Sequence, residues 1–227
     1  MSSHYDDIAF TDAVRQVQER CGSRTFYDRR RARGRGSSVS SDGEALSQDE
    51  RDYLGQRDSF YLATVNETGW PYVQFRGGPP GFLRVLDDHT IGWADFRGNL
   101  QYISTGNLAA QDRVALILMD YPNRQRLKIF GRARVAYGED EPELVARLTM
   151  TDYEAVVQRA VVVSVEAFDW NCQQHITRRY SAADLEPAFT AMRKRIRELE
   201  RDNARLSAQL AGHLRSQAPS DADAART

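Results

Sequence analysis

The sequence predicts a mainly β fold, a small antiparallel barrel with helical segments at its two ends. Between residues 60 and 165, six or more short runs are rich in β-branched and aromatic residues, and turn-forming residues separate them. Only brief helical patterns stand between these runs, which favours a barrel with short connections. Strands and helices do not alternate strictly, so a doubly wound fold is not predicted.

Composition excludes several classes of protein. The 227 residues suit one domain with an appendage, and the 41% hydrophobic residues suffice for a packed core. With 31 basic and 32 acidic side chains the formal net charge is -1, so bulk charge indicates neither nucleic acid nor membrane as a partner. The two cysteines form no disulfide framework, and neither a signal-peptide pattern nor a bilayer-spanning run is found. We therefore expect a cytoplasmic protein.

The first segment, 1–45, is predicted to be an N-terminal helix followed by a linker. Apolar residues at three- and four-residue spacing predict the helix over residues 10–22. Five arginines then fall within residues 29–35, and serines dominate residues 37–43. The arginines could hold nucleic acid phosphates, but no aromatic residue is interleaved among them to stack bases. We favour a solvated linker or arm over a nucleic acid site.

The second segment, 46–182, is predicted to form the barrel. Ser47 and Glu50 make a capping box, which marks the start of a helix. Run 126–135 alternates basic with apolar residues, which predicts a strand with one face in the core and a row of cations on the other. The predicted helices are 47–55, 100–104 and 141–150, and the predicted strands are 60–65, 70–76, 83–86, 90–94, 113–119, 126–135 and 160–165.

A cation and two glycines end the first predicted hairpin. Gly77 and Gly78 lack Cβ atoms, so the backbone after Arg76 can bend sharply and lie close to a ligand. A guanidinium beside bare backbone donors suits a phosphate group. A tight bend at a barrel corner uses glycine equally, and this alternative stays open.

Six motifs follow one another between about residues 58 and 180. They are Tyr61-Leu62-Ala63-Thr64-Val65, Gly69-Trp70-Pro71-Tyr72-Val73, Arg76-Gly77-Gly78-Pro79-Pro80-Gly81-Phe82, Arg97-Gly98-Asn99, Asp112-Arg113-Val114-Ala115-Leu116 and Arg126-Leu127-Lys128-Ile129-Phe130-Gly131-Arg132-Ala133. In this order and spacing they resemble the pyridoxamine 5'-phosphate oxidase-like family of FMN-binding split barrels. The resemblance implies an antiparallel split β-barrel of the FMN-binding type and a homodimer with two FMN sites at the subunit interface.

The resemblance also implies where the cofactor binds. The implied site combines the strand after the first hairpin turn, the Trp93 strand with the loop behind it, and the cationic strand. Its residues are Val73, Gln74, Phe75, Arg76, Gly77, Trp93, Ala94, Asn99, Arg126 and Lys128. The deazaflavin F420 stays open as an alternative to FMN.

By this resemblance the protein is an FMN-dependent oxidoreductase acting on a small molecule. The flavin supplies the electron chemistry, so no side chain is assigned a catalytic role. Asn99 and Leu100 stand where the vitamin B6 enzyme has a basic pair, and the stretch after Trp170 is only loosely similar to that enzyme's substrate motif. The resemblance is therefore to the related-protein branch, with no substrate assigned. A non-catalytic flavin-binding, heme-related or regulatory protein, using its C-terminal helix and arginine-rich arm for partners, stays open.

Cys172 and His175 have the spacing of two metal ligands. A tetrahedral site needs two further ligands at suitable spacing, and the sequence has none, so no metal site is predicted. A redox-active thiol at Cys172 is a further alternative. We favour a structural turn beneath the barrel.

The third segment, 183–214, is predicted to form a coiled-coil helix. From residue 189 onward, seam residues recur at intervals alternating between 3 and 4, which defines a heptad repeat. The a positions are Phe189, Ile196, Asn203 and Leu210, and the d positions are Met192, Leu199 and Leu206. A helix docked on its own barrel would show a wider stripe of period 3.6. The Asn at an a position favours a parallel two-stranded coil, and the polar residues 215–227 are predicted to be disordered.

Overall fold

A computed structural model describes residues 3–34, 43–170 and 173–217, which divide into two compact units, Met1–Arg178 and Arg179–Thr227. The helices are α1 (Ser3–Ala9), α2 (Asp12–Arg20), α3 (Arg24–Gly34), α4 (Gln48–Gly55), α5 (Ile103–Ala110), α6 (Pro142–Leu148) and α7 (Ala182–Gln217). The strands are β1 (Ser59–Val65), β2 (Pro71–Gly77), β3 (Arg84–Asp87), β4 (Thr90–Phe96), β5 (Arg113–Asp120), β6 (Gln125–Ala136) and β7 (Val157–Trp170).

All seven strands of the first unit belong to one antiparallel sheet, in the order β2-β1-β5-β6-β7-β4-β3. Phe60 of β1 and Trp93 of β4 have ring centroids 4.9 Å apart, although three strands separate β1 from β4 in that order. The sheet therefore curls until its two ends meet around a common core. This confirms the predicted mainly β fold, an antiparallel split barrel with helices.

The core is filled by aromatic and aliphatic side chains from both ends of the sheet. Phe60, Phe82 and Trp93 are each only 1% exposed. Helix α4 closes the core from one side, with Leu54 fully buried and the hydroxyl of Tyr53 donating to the carbonyl of Leu118 at 3.1 Å. The capping box predicted from the sequence is confirmed at the start of α4.

Part of the segment that was predicted to be a linker is a helix instead. Residues 28–34 belong to α3, and residues 35–42 lie outside the described residues. The guanidinium of Arg30 donates to the carboxylate of Asp169 on β7 at 3.0 Å, and Asp169 is only 6% exposed. This ion pair attaches α3 to β7. The sequence around Arg30 is so polar that it predicted a segment surrounded by solvent.

A second correction concerns the helix expected at residues 100–104. It begins at Ile103 and runs to Ala110 instead. Leu100 and Tyr102 adopt the left-handed conformation, with φ of 63° and 51°, so the backbone cannot be helical at these positions. The apolar spacing in the sequence does not reveal this interruption.

The second unit consists of one long helix. Helix α7 has 36 residues and continues through Gln217, so the predicted disorder is wrong for residues 215–217. Residues 218–227 lie outside the described part of the chain. Within the described residues, no helix is both long and apolar enough to cross a membrane.

The close contact between β6 and β7 generates a prediction at Gly131. A Cβ at this position would lie 2.5 Å from the carbonyl oxygen of Ser164 and 2.7 Å from Cγ1 of Val163. Replacing Gly131 with Ala should therefore lower the free energy of unfolding by about 1–3 kcal/mol, as overpacking does. Gly138→Ala is the control, because a Cβ there meets no atom within 4 Å. Urea unfolding midpoints that match for the two variants would contradict this packing.

Candidate functional site

A polar pocket lies where β2 and β4 approach the loop that leads into α5. Gln74 and Arg76 extend from β2, opposite the buried Leu62 and Phe60 of β1, so they share the inward face of the sheet. The pocket is lined by Gln74, Arg76, Asp95, Phe96, Gly98, Asn99, Leu100, Tyr102, Ser104, Thr105 and Gln158. Most of these side chains can form hydrogen bonds, which suits a polar ligand group.

Two arginines and one carboxylate form an ion cluster at the wall of this pocket. The guanidinium Nη1 of Arg76 donates to Oδ1 of Asp95 at 2.6 Å, and Nε of Arg159 lies 3.4 Å from Oδ2 of Asp95. The side chains are 15%, 6% and 9% exposed for Arg76, Asp95 and Arg159, respectively. Two cations and one anion leave a net charge of +1 in a largely buried cluster.

The loop before α5 is held in place from both sides. The hydroxyl of Tyr102 accepts a hydrogen bond from the Gln158 amide at 3.1 Å, and the Arg159 guanidinium lies 4.8 Å from the Tyr102 ring centroid. Inside α5, Asn107 donates to the hydroxyl of Thr64 at 2.9 Å. These contacts fix the beginning of α5 relative to β1, β7 and the pocket.

The beginning of α5 contributes further donors to the pocket. Tyr102 occupies the N-cap position without giving a side-chain hydrogen bond to the helix. Ser104 and Thr105 of the first turn line the pocket, and the Ser104 hydroxyl donates to Oε1 of Gln74 at 2.7 Å. A helix N-terminus carries a partial positive charge, so it adds to the attraction that the Arg76 and Arg159 pair exerts on an anion.

Chemically, the pocket suits a phosphate monoester. Such a group carries almost two negative charges and three acceptor oxygens, and it is bound by guanidinium, hydroxyl and backbone N–H donors. Within the described residues, no group of three or more His, Cys, Asp or Glu side chains could hold a metal ion. The pocket lining contains neither histidine nor cysteine.

Of the ten site residues implied by the sequence, the pocket brings together Gln74, Arg76 and Asn99. Trp93 and Ala94 are 1% and 2% exposed, with the Trp93 ring packed against Phe60 in the core. The Trp93 side chain faces the barrel core, and the Ala94 side chain packs on the other face of β4 with Ala136, Leu148 and Ala160, so any contribution to this pocket would come from their backbone.

Three further implied residues lie at or beyond the outer face of β2. Val73 and Phe75 are 61% and 58% exposed, and alternation along the strand places them opposite Gln74 and Arg76. A Cβ on Gly77 would lie 2.8 Å from the Phe75 ring, and one on Gly78 would lie 2.7 Å from the Phe82 ring. The buried Phe82 ring therefore leaves no room for a side chain at Gly78, whereas the exposed Phe75 ring could shift beside a side chain at Gly77.

Arg126 and Lys128 lie on the outer face of β6. Lys128 is in register with Ile117, and Ile117 is in register with Tyr61 and, through it, with Phe75 of β2. Three strand spacings, roughly 14 Å, separate β6 from β2 along this row. Within one chain, the two cations therefore lie apart from the pocket and on the opposite face of the sheet.

The N-terminal helices cover this part of β6. The ring of Tyr5 on α1 stacks on Phe130 at 4.9 Å, and the Lys128 ammonium lies 5.8 Å from the Tyr5 ring centroid. Burial lowers the pKa of Lys128, against the opposing effect of the nearby Asp169 carboxylate. The covered ammonium thus has both an aromatic face and a carboxylate to offset its loss of water.

The sequence did not reveal Asp95, Ser104 and Gln158 as pocket residues, nor Arg159 as the second partner of Asp95. Asp95 and Arg159 are direct partners across β4 and β7, a relation that only the strand register establishes. Of the proposed Cys–His pair, Cys172 lies outside the described residues, and His175 is exposed with a left-handed φ of 63°.

Comparison with known proteins places the barrel in context. A sequence profile of the family described as Pyridoxamine 5'-phosphate oxidase matches residues 46–201, more than half of the chain. No curated protein matches the sequence.

Three solved structures are similar to part of this chain. A putative pyridoxamine 5'-phosphate oxidase from Lactobacillus delbrueckii is 20% identical over 58% of this chain and 99% of its own, with a TM-score of 0.44. HupZ from Group A Streptococcus is 16% identical over 60% of this chain and 99% of its own, with a TM-score of 0.46. An FMN-binding protein from Syntrophomonas wolfei is 15% identical over 54% of this chain and 83% of its own, with a TM-score of 0.43.

Proposed function

The chain belongs to the pyridoxamine 5'-phosphate oxidase family, and on that premise we propose that it binds FMN and acts as an FMN-dependent oxidoreductase. The observation that carries the proposal is the cationic pocket between β2, β4 and α5. Its cluster of Arg76, Asp95 and Arg159 has an excess positive charge, and the first turn of α5 adds hydroxyl and N–H donors. These donors match the phosphate of FMN.

In this proposal the pocket residues bind the phosphate end of FMN. Arg76 and the first turn of α5 bind the phosphate, while Gln74 and Asn99 supply hydrogen bonds beside it. When bound, the flavin supplies the electron-transfer chemistry, and the protein supplies binding, orientation and exclusion of water. No acid, base or nucleophile of the chain is assigned a catalytic role.

The remaining implied residues suggest a site shared between two copies. Val73, Phe75, Arg126 and Lys128 lie on the outer face of the sheet, away from the pocket of their own chain. In a homodimer, the outer face of one copy can approach the pocket of the other. We propose that Arg76 of one copy and Lys128 of the second contribute to the same FMN site.

F420 is the alternative cofactor to FMN, and a role without catalysis is the alternative to an oxidoreductase. F420 also carries phosphate, so the same pocket chemistry would accept it. The alternative role is that of a non-catalytic flavin-binding, heme-related or regulatory protein. Pyridoxamine phosphate is not proposed as the substrate. The use of cysteine supports a cytoplasmic location.

Helix α7 provides a second contact between copies in this proposal. The seam residues are exposed along its length, with Phe189 at 43%, Leu199 at 49% and Leu210 at 61%. The helix extends the heptad register back to Leu185 at d and Ala182 at a. A helix with an unburied apolar seam lacks the packing that stabilises most helices in water. A second copy of α7 would provide this packing in a parallel coiled coil.

Cofactor binding is tested with FMN, F420, heme and riboflavin added to the purified full-length protein. We expect FMN to bind more tightly than riboflavin, and Arg76→Ala and Lys128→Ala each to weaken FMN binding about ten- to hundred-fold, the effect of one charge-assisted hydrogen bond. Arg134→Ala is the matched control, because that arginine is exposed and paired with Glu141.

A mixing experiment tests whether the site is shared. Heterodimers of Arg76→Ala with Lys128→Ala should recover one tight FMN site, because one of their two sites then combines both unchanged residues. If both residues act within one chain, every site carries one substitution and none recovers. Unchanged FMN binding in both single variants would place the cofactor elsewhere.

Turnover is tested by stopped-flow absorbance of the FMN-bound protein. Reduced nicotinamide or another electron donor should bleach the flavin, and an acceptor should restore its colour. The unliganded protein with the same reagents is the control. A bound flavin that no donor in a broad panel reduces would favour the non-catalytic alternative.

The coiled coil is tested by oxidative cross-linking of the full-length chain, with Cys21 and Cys172 replaced by Ser. Asn203→Cys should form a disulfide-linked dimer, because equal a positions face each other in a parallel coil. Lys194→Cys, at an outward f position of the same helix, is the control and should not cross-link. Equal cross-linking of the two variants, or a monomer by sedimentation, would contradict the parallel coil.

A further inference from the structure

Arg159 is the one member of the ion cluster that does not line the pocket. It extends from β7 opposite Asp95 of β4 and is only 9% exposed. Its guanidinium Nη2 donates to Oε1 of Gln158 at 2.9 Å, and its plane lies near the rings of Tyr102 at 4.8 Å and Tyr137 at 5.8 Å. The side chain is thus fixed behind the pocket wall.

The charges of the cluster explain why such a residue is needed. Asp95 accepts a short hydrogen bond from Arg76, the cation that the pocket presents to its ligand. Alone, this carboxylate would cancel the charge of Arg76 and repel an incoming anion. The second guanidinium, from Arg159, offsets the carboxylate and leaves a net charge of +1 in the cluster. In a buried site this balance acts at short range with little screening by salt.

We propose that Arg159 is a positioning residue that makes the pocket selective for phosphorylated flavins. Its positive charge offsets the negative charge of Asp95. Asp95 can therefore orient Arg76 while the cluster keeps the positive charge that attracts the phosphate. It also holds Tyr102, and with it the left-handed turn that brings the N-terminus of α5 to the pocket. The inference rests on the proposed FMN function and concerns the phosphate end of that site.

The test measures the ratio of the dissociation constants of riboflavin and FMN. Because the two flavins differ only in the phosphate, this ratio reports how strongly the pocket selects for the phosphate. Arg159→Gln brings the net charge of the cluster to zero. We expect it to weaken FMN binding about ten- to hundred-fold and to leave riboflavin binding unchanged, so the ratio collapses. Arg134→Gln removes an exposed arginine on β6 and should leave the ratio as it is.

The double variant Asp95→Asn/Arg159→Gln separates charge from structure. It restores the net charge of +1 through Arg76 alone and should recover the ratio to within a few-fold of the unchanged protein. Arg159→Lys, which keeps the charge, should also retain most of the ratio. Loss of packing at Arg159 would not be repaired by a second substitution at Asp95.

Thermal melting of each variant checks that it is folded. If Arg159→Gln does not fold, Asp95→Asn alone carries the test, because it raises the cluster to +2 and should strengthen FMN binding without affecting riboflavin. The inference is overturned if the ratio survives in Arg159→Gln, if both flavins weaken equally, if the double variant fails to recover, or if Asp95→Asn leaves the ratio unchanged. An unchanged protein that binds neither flavin overturns the proposed function itself, a result distinct from all of these.

Discussion

The closure of the sheet is the constraint on which the rest of the structure depends. Phe60 and Trp93 meet from strands that lie far apart in the hydrogen-bonded order, and Phe82 stacks on Phe60 at 5.7 Å. Burial of each large aromatic contributes on the order of 1.5–3 kcal/mol, so this contact strongly favours the curled sheet over a flat one. Closure also brings β2 to β4 and so places Arg76 beside Asp95.

The ion pair between Arg76 and Asp95 is largely buried, so the groups around it must compensate for the lost hydration. A buried carboxylate and guanidinium lose much of their hydration, and their attraction repays this cost only with good geometry and further polar partners. Arg159 of β7 is a second partner of Asp95, and Gln158 and Tyr102 in turn contact the guanidinium of Arg159. A polar pocket with an excess positive charge therefore arises where the fold must accommodate polar groups near its core.

On the outer face of the barrel, some surface is covered by helices of the same chain and some apolar surface is exposed. Near β6, α1 and α3 pack on the sheet, through the stack of Tyr5 on Phe130 and the pairing of Arg30 with Asp169. Near β2, Val73 and Phe75 stay exposed, and so do the seam residues of α7. Apolar surface left open in two places is typical of chains that bury it against another molecule.

The sequence by itself determined most of the strands, the capped start of α4 and the heptad repeat, because these depend on periodicity and capping. The two-residue period of the strands, the Ser47 capping box and the heptads from residue 189 each follow from neighbours along the chain. Motif order added the family, and with it three residues of the pocket. Only the tertiary structure decided that Asp95 and Arg159 are partners, that Trp93 lies in the core, and that residues 24–34 form a helix held by Asp169. These features depend on strand register and burial, which arise from contacts between residues far apart in sequence.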